Sequence, residues 1–519
     1  MDLRALTAAL LRRTPWLLAL LAVALCLFVR VRLLQTPLER DEGEYAYAGQ
    51  LMLQGIPPYA LARNMKLPGT YAAYAVIMRA FGQTAGAIHL GLLLTNAAAV
   101  ALLFLLGRRL FGARAGLASC AAYSVMSLGA GVAGTQAHAT HFVVLPAIGG
   151  LLLLLRAVQT DRAAPLALSG VLFGLAFVAK QHGAFFGLFA LLWIAWTYRR
   201  RALPKLALFG ACAALPFAVT CLALWRAGVF RPFWFWTFDY SRAYISESSA
   251  LVPMDDFWRP LRPILLENAG LWLLVLVGLG LAWRATESRL AAAFLTGLLL
   301  FSFAATTPGG FFRDHYFVMT LPAAALLAGA AAGGRRNAAA WLFAAALIFS
   351  FWRQHDWMFR LQPQQVSRML YDTNPFPEAA RIADYIRGRT APGELIAILG
   401  SEPEICFYAH RHSATPYIYM YPLTEDQPYA PWMQSEMIRD IESQQPRYLV
   451  FVHVESSWLT DLNEPHPVLD WWNRYRDEHY ELAGAADILP EDRTEYRWDE
   501  AARGYQFQSD DYVQVFQRR

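Results

Sequence analysis

Lysine is almost missing from this chain: Lys66, Lys180 and Lys205 are the only three in 519 residues, so its 45 basic side chains are overwhelmingly arginine. Cysteine is nearly as scarce. Cys26, Cys120, Cys212 and Cys221 lie in apolar runs and Cys406 stands alone in the C-terminal third, which excludes a disulfide within that third. No Cys/His spacing resembles a zinc site, and no glycine pattern of the nucleotide-binding kind occurs in the C-terminal third. Charge is thin as well, 16% against 56% hydrophobic residues, where soluble domains carry about 25% charged residues. A set of ordinary soluble domains is therefore excluded. The first apolar run, Pro15 to Val29, follows Arg4, Arg12 and Arg13 and precedes no small-residue cleavage site, so it reads as an uncleaved membrane span that starts in the cytoplasm.

What is present is a series of apolar runs of about 17–25 residues, the length a bilayer requires. The run from 165 to 198 is broken by Lys180-Gln181-His182 and counts as two, giving about eleven transmembrane helices. Arginine tests the count, because short cytoplasmic loops concentrate positive charge. Arg108-Arg109, Arg156 with Arg162, Arg199-Arg200-Arg201, Arg284 with Arg289, and Arg335-Arg336 all fall on the side of the N-terminus. Residues 1–352 hold 29 basic and 13 acidic residues, whereas 353–519 hold 16 and 27. The basic body reflects topology and not nucleic-acid binding. Of its 13 carboxylates only Asp2, Asp161 and Glu287 are cytoplasmic, and the other ten gather on the outer face.

The expected architecture is a multi-pass α-helical membrane body, 1–352, whose first outer loop is 35–84, followed by an extracytoplasmic α/β domain, 353–519. In that tail, helices are expected at 378–389, 432–444 and 468–479, and strands at 394–399, 448–454 and 512–516. Few lysines beside abundant Ala, Leu and Arg suggest a GC-rich bacterial genome, and the expected location is the bacterial cytoplasmic (inner) membrane, with the N-terminus in the cytoplasm and the tail in the periplasm or outside the cell.

The first outer loop opens on Arg40-Asp41-Glu42-Gly43-Glu44-Tyr45. Asp41 fits a helix N-cap or first turn, and Tyr45, Ala48, Leu51 and Met52 share one face. Capping plus an interfacial aromatic belt accounts for the tyrosines. It does not account for three acids in four positions at a membrane edge, where carboxylates are costly unless paired or used. This motif, with Gln54-Gly55-Ile56-Pro57-Pro58-Tyr59, Lys66-Leu67-Pro68-Gly69, Phe81-Gly82, Gly107-Arg108-Arg109-Leu110-Phe111-Gly112 and Phe177-Val178-Ala179-Lys180-Gln181, resembles the GT-C glycosyltransferases. The bacterial branch related to protein O-mannosyltransferases and lipid A aminoarabinose transferases is the most similar. The resemblance implies a GT-C-like bundle over residues 1–352 and transfer of a sugar from a polyprenyl-phosphate donor to a lipid, glycan or protein acceptor. There are two departures. The family's Lys-Pro-Pro-Leu reads Lys66-Leu67-Pro68-Gly69, and Gly134-Thr135-Gln136-Ala137-His138 stands where a second-loop acid is expected.

By that resemblance Asp41 is the catalytic carboxylate, Glu42 its neighbour, and Lys66 a contact to the donor phosphate. Lys180, which interrupts an apolar run, is a second phosphate candidate, with snorkelling to headgroups as the alternative for both lysines. Arg63, Arg313, His315 and Arg242 complete the cationic candidates; for Arg313-Asp314-His315-Tyr316 a neighbour pairing with a tyrosine belt is the competing reading. His138, His141 and His182 read as satisfied polar residues, and the aromatic run 230–240 as an interfacial belt. No Asp-x-Asp occurs in the loop, so no metal or other cofactor is expected to be obligatory, though a divalent metal stays open. Two other functions stay open: a transporter or flippase of a lipid-linked sugar, and an inactive GT-C-like scaffold.

Overall fold

The computed structural model describes residues 3–247, 254–334, 337–462 and 466–519. Asp2 and the Arg335-Arg336 pair lie outside the described residues. The chain packs as two compact units, each assembled from separated stretches. The first comprises Met1–Leu34, His89–Leu222 and Ser248–Leu361; the second comprises Gln35–Ile88, Ala223–Glu247 and Gln362–Arg519. Residues of the tail thus share a unit with the first loop and the aromatic segment, a grouping that a division at residue 352 does not contain.

The first unit is helical. Among the described residues, six helical stretches are long and apolar enough to cross a membrane: Arg13–Arg32, Ala85–Phe111, Ala139–Thr160, Gln181–Arg226, Thr286–Ala304 and Asp314–Ala332. Met254–Glu267 and Ala269–Arg284, bent by 95° at their junction, make a seventh if taken together. Other runs counted in the sequence form helices that are shorter or more polar, among them Ala113–Met126, Ala163–Ala179 and Asn337–Phe359. Small residues let these helices approach closely, as packing in lipid requires. Gly329 shows the constraint: a Cβ there would sit 2.6 Å from the Ala115 carbonyl oxygen, so helix Leu321–Ala332 meets Ala113–Met126 almost backbone to backbone. The helix beginning at Ala163 stops at Ala179, and Lys180 takes an extended conformation before the turn Gln181–Gly183, the interruption expected from its charge.

The second unit carries a five-stranded sheet. Its strands are β1 (Ile396–Leu399), β2 (Tyr448–His453), β3 (Tyr480–Leu489), β4 (Arg493–Trp498) and β5 (Tyr512–Arg518), in spatial order β1-β2-β5-β3-β4. β1 and β2 are parallel and the remaining pairs antiparallel. The parallel pair needs a crossover, which runs through helices Glu404–Ala409 and Ala430–Gln444. β2 lies inside the sheet, and every residue from Tyr448 to Val452 is buried. Helices Phe376–Arg387 and Pro467–His479 fall where the periodicity places them. The hairpin β3–β4 does not follow from the sequence pattern. Its alanine-rich first strand, Tyr480 to Leu489, has little β-propensity of its own, and the reversal relies on Glu491 and Asp492 at φ 63° and 56°. Two further helices from the first loop, Arg40–Leu53 and Gly69–Phe81, belong to this unit.

Candidate active site

Helix Arg40–Leu53 begins with an unusual cap. Glu39 is the N-cap, its carboxylate accepting the backbone N–H groups of Asp41 and Glu42 at 3.0 and 2.8 Å. Glu42 Oε2 reaches back to accept the Glu39 N–H at 3.3 Å, closing a capping box. Both acids are buried. Burial, reinforced by the charges of Asp41 and Glu42, pushes the Glu39 carboxyl well above its usual range. Glu42 is therefore placed at the start of the helix as part of its cap.

Asp41, one residue earlier, lies on another side and meets Lys66. The Lys66 ammonium donates to Asp41 Oδ1 and to Glu44 Oε2, both at 2.6 Å. The i, i+3 spacing of Asp41 and Glu44 puts both carboxylates on one helix face, and one lysine bridges them. Glu44 is fully buried and Asp41 is 23% exposed. Glu44 also accepts from Asn64 Nδ2 at 2.8 Å and from the Tyr71 hydroxyl. Burial raises the Glu44 carboxyl against the pull of Lys66. For Lys66, burial works to lower the ammonium, but Asp41 and Glu44 outweigh it and hold it above its ordinary value. The ammonium also lies 4.8 and 5.4 Å from the ring centroids of Tyr45 and Tyr419, and the Tyr59 hydroxyl donates to the Lys66 carbonyl at 2.7 Å. The group is a partly exposed carboxylate next to a fixed cation. Chemically it combines a proton acceptor with a charge that an incoming anion would share.

The tail anchors this helix. Arg40 donates from Nε to the Ser401 carbonyl at 2.8 Å and from Nη2 to Asn374 Oδ1 and Glu402 Oε1, both at 2.9 Å. The guanidinium lies 5.4 and 5.5 Å from the ring centroids of Phe376 and Tyr421. Gly43 meets helix Glu404–Ala409 so closely that a Cβ would lie 2.7 Å from the Glu404 backbone nitrogen. Tyr419 donates to the Arg40 carbonyl at 2.9 Å and to Asp41 Oδ1 at 3.3 Å.

The other candidates divide by unit. In the second unit, Arg63 pairs with Glu436 at 3.1 Å and lies 5.7 Å from the Tyr417 ring. In the first, Lys180 sits 4.4 Å from the Tyr316 ring, and His315 stacks on His138 at 4.0 Å while meeting Tyr316 edge-on at 4.9 Å. Arg313 lies 5.8 Å from Phe311. Lys180 and His315 thus flank the same tyrosine. His182 joins them, 4.7 Å from the Tyr316 ring.

Residues 66–225, which include Lys66 and Lys180, match the family described as dolichyl-phosphate-mannose-protein mannosyltransferase. The crystal structure of ArnT from Cupriavidus metallidurans bound to undecaprenyl phosphate is similar at 17% identity, over 83% of this chain and 92% of that one, with a TM-score of 0.60. Its apo state matches at 16% identity over 97% and 98%, with a TM-score of 0.61. The chain has the GT-C glycosyltransferase fold. It is a multi-pass membrane protein. A second structure of similar fold, the archaeal oligosaccharyltransferase AglB from Archaeoglobus fulgidus in complex with an inhibitory peptide and a dolichol-phosphate, matches at 13% identity over 95% of this chain and 74% of that one, with a TM-score of 0.51. No curated protein sequence matches the chain.

Sequence reasoning missed Glu44, Asn64, Tyr71 and Tyr419 as partners of the Asp41–Lys66 pair. The helical spacing of Asp41 and Glu44 was the available signal for the first; nothing local points to Tyr419. Lys66 yields the first testable expectation. Lys66→Met leaves Asp41 and Glu44 facing each other without a cation, so sugar transfer by membranes carrying the variant falls by about 10²-fold, the scale of losing one charge-stabilising group. Lys66→Arg restores part of it, and transfer by Lys66→Met at the wild-type rate would show the cation to be dispensable.

Proposed function

We propose that the protein is an integral membrane glycosyltransferase that moves a sugar from a polyprenyl-phosphate-linked donor to an extracytoplasmic acceptor. The observation that carries this reading is the Asp41 carboxylate held against Lys66 at the start of the first-loop helix. The acceptor hydroxyl or amine attacks the anomeric carbon, and its proton passes to Asp41. The bond from that carbon to the phosphate oxygen breaks in the same displacement, with inversion, and the lipid phosphate leaves with the electron pair. A positioned base contributes about 10²–10⁴-fold to such a step. Lys66 lies beside the base and is assigned to the departing phosphate. Lys180, His315 and Arg313 are assigned to phosphate binding on the same chemical grounds, and Arg63, paired with Glu436, to holding the loop. Glu42 acts through the helix cap, setting the direction in which Asp41 points.

The match of residues 66–225 and the ArnT and AglB folds, solved with undecaprenyl phosphate and dolichol-phosphate, support a lipid-phosphate donor. The arginine-rich alternate loops support an orientation with the N-terminus inside and the tail outside, and the membrane assigned is the bacterial cytoplasmic one. The acceptor is a lipid, glycan or protein of the cell envelope. Mass spectrometry of envelope glycans and glycolipids from cells with and without the protein tests the reading. Loss of one sugar from one acceptor class, with accumulation of its lipid-linked donor, is the expected outcome; identical profiles would overturn it.

A further inference from the structure

The tail reaches the proposed base through the hydroxyl of Tyr419. Tyr419 lies 378 residues from Asp41 in sequence, yet its phenol is within hydrogen-bond range of two acceptors on adjacent residues, the Arg40 carbonyl at 2.9 Å and Asp41 Oδ1 at 3.3 Å. The side chain is buried, and burial, with the nearby Glu44 and Asp41 charges, holds the phenol protonated at any working pH. One proton serves two acceptors. Only one of them changes its charge during the reaction assigned above.

We propose that Tyr419 is a positioning residue for the Asp41 carboxylate, a donor that serves the carboxylate when it is ionised and the Arg40 carbonyl when Asp41 has taken the acceptor's proton. The inference rests on Asp41 being the base. A base must gain a proton without stranding the donors that held it, because a buried donor with no acceptor is costly. Tyr419 meets that requirement by rotating about its C–O bond toward the neighbouring carbonyl. Lys66 meets it differently, by keeping Glu44. While directed at Asp41, the phenol favours the ionised form and so restrains its basicity. The charged and titratable groups around Asp41 in this unit include Lys66, Glu44, Glu42, Arg40, Glu39, Tyr45, Tyr74 and Tyr419. Of these, Tyr419 is contributed by the tail.

Tyr419→Phe removes the donor and little volume. Two measurements on the purified full-length protein follow. In the first, N,N′-dicyclohexylcarbodiimide, which modifies protonated carboxyls, is titrated against pH and its attachment at Asp41 is read by peptide mass spectrometry. In the second, the pH profile of transfer is followed with a lipid extract from cells lacking the protein as the source of donor and acceptor. Loss of a donor to the charged form moves the midpoint of Asp41 labelling and the acid limb of transfer to higher pH by about one unit, the size of one hydrogen bond to a charged group. Tyr408→Phe is the control, since its hydroxyl accepts the Leu38 N–H at 3.0 Å and is not bonded to Asp41. It should leave both midpoints in place. Equal midpoints in wild type and Tyr419→Phe, or equal shifts in Tyr419→Phe and Tyr408→Phe, would overturn the proposal. If Asp41→Asn retains transfer, the base assignment itself fails, and the labelling result still reports whether Tyr419 governs the Asp41 carboxyl.

Discussion

Asp41→Asn is expected to abolish sugar transfer while leaving the amount of protein in the membrane unchanged. The amide is the same size as the carboxylate and still accepts through its oxygen, so Lys66 and Tyr419 keep a partner at the Oδ1 position. It has no basicity to offer the attacking hydroxyl or amine. Loss of a positioned base costs about 10²–10⁴-fold, and the high end applies here because Glu44, the other carboxylate on Lys66, is fully buried and cannot take over. Immunoblots of membranes and mass spectrometry of the acceptor measure the two halves of the expectation. Transfer at even a tenth of the wild-type rate would remove Asp41 from the mechanism.

The second large effect concerns stability. Glu402 is fully buried, receives Arg40 on Oε1 at 2.9 Å and the Ser457 hydroxyl on Oε2 at 2.7 Å, and faces a guanidinium that lies near the rings of Phe376 and Tyr421. Glu402→Ala strands the Arg40 charge. Breaking a buried pair from one side costs about 3–5 kcal/mol, which lowers the melting temperature of a unit this size by about 10 °C. Arg40→Met/Glu402→Leu should regain much of that loss, because an apolar pair of similar volume spares the desolvation of two ions. Differential scanning fluorimetry of the purified protein compares the three. A single variant as stable as wild type would mean that the pair anchors nothing.

How much of this was legible in the sequence depended on whether the partner was local. The helix Arg40–Leu53 is written in its own spacing, and so is the break at Lys180, where one charge interrupts an apolar run. Asp41 and Lys66 lie 25 residues apart and meet across one loop. Choosing Glu42 over Glu44 as the companion acid was a question of helix phase: adjacent residues diverge by about 100°, whereas positions i and i+3 nearly coincide. Tyr419, Glu402 and Glu404 had no such signal. They sit in a tail whose sheet order, β1-β2-β5-β3-β4, comes from long-range pairing. The hairpin β3–β4 was hidden for the same reason, since Ala483, Ala485 and Ala486 take strand geometry only because neighbouring strands impose it.

The second unit is assembled from three stretches of chain, Gln35–Ile88, Ala223–Glu247 and Gln362–Arg519. A ribosome makes them far apart in time: Arg40 is synthesised 362 residues before the Glu402 that anchors it. Until the last stretch has emerged and folded, the helix that presents Asp41 has neither its ion pair nor the hydroxyl of Tyr419. The setting of the first-loop helix is thus completed by residues of the last of the three stretches to be translated.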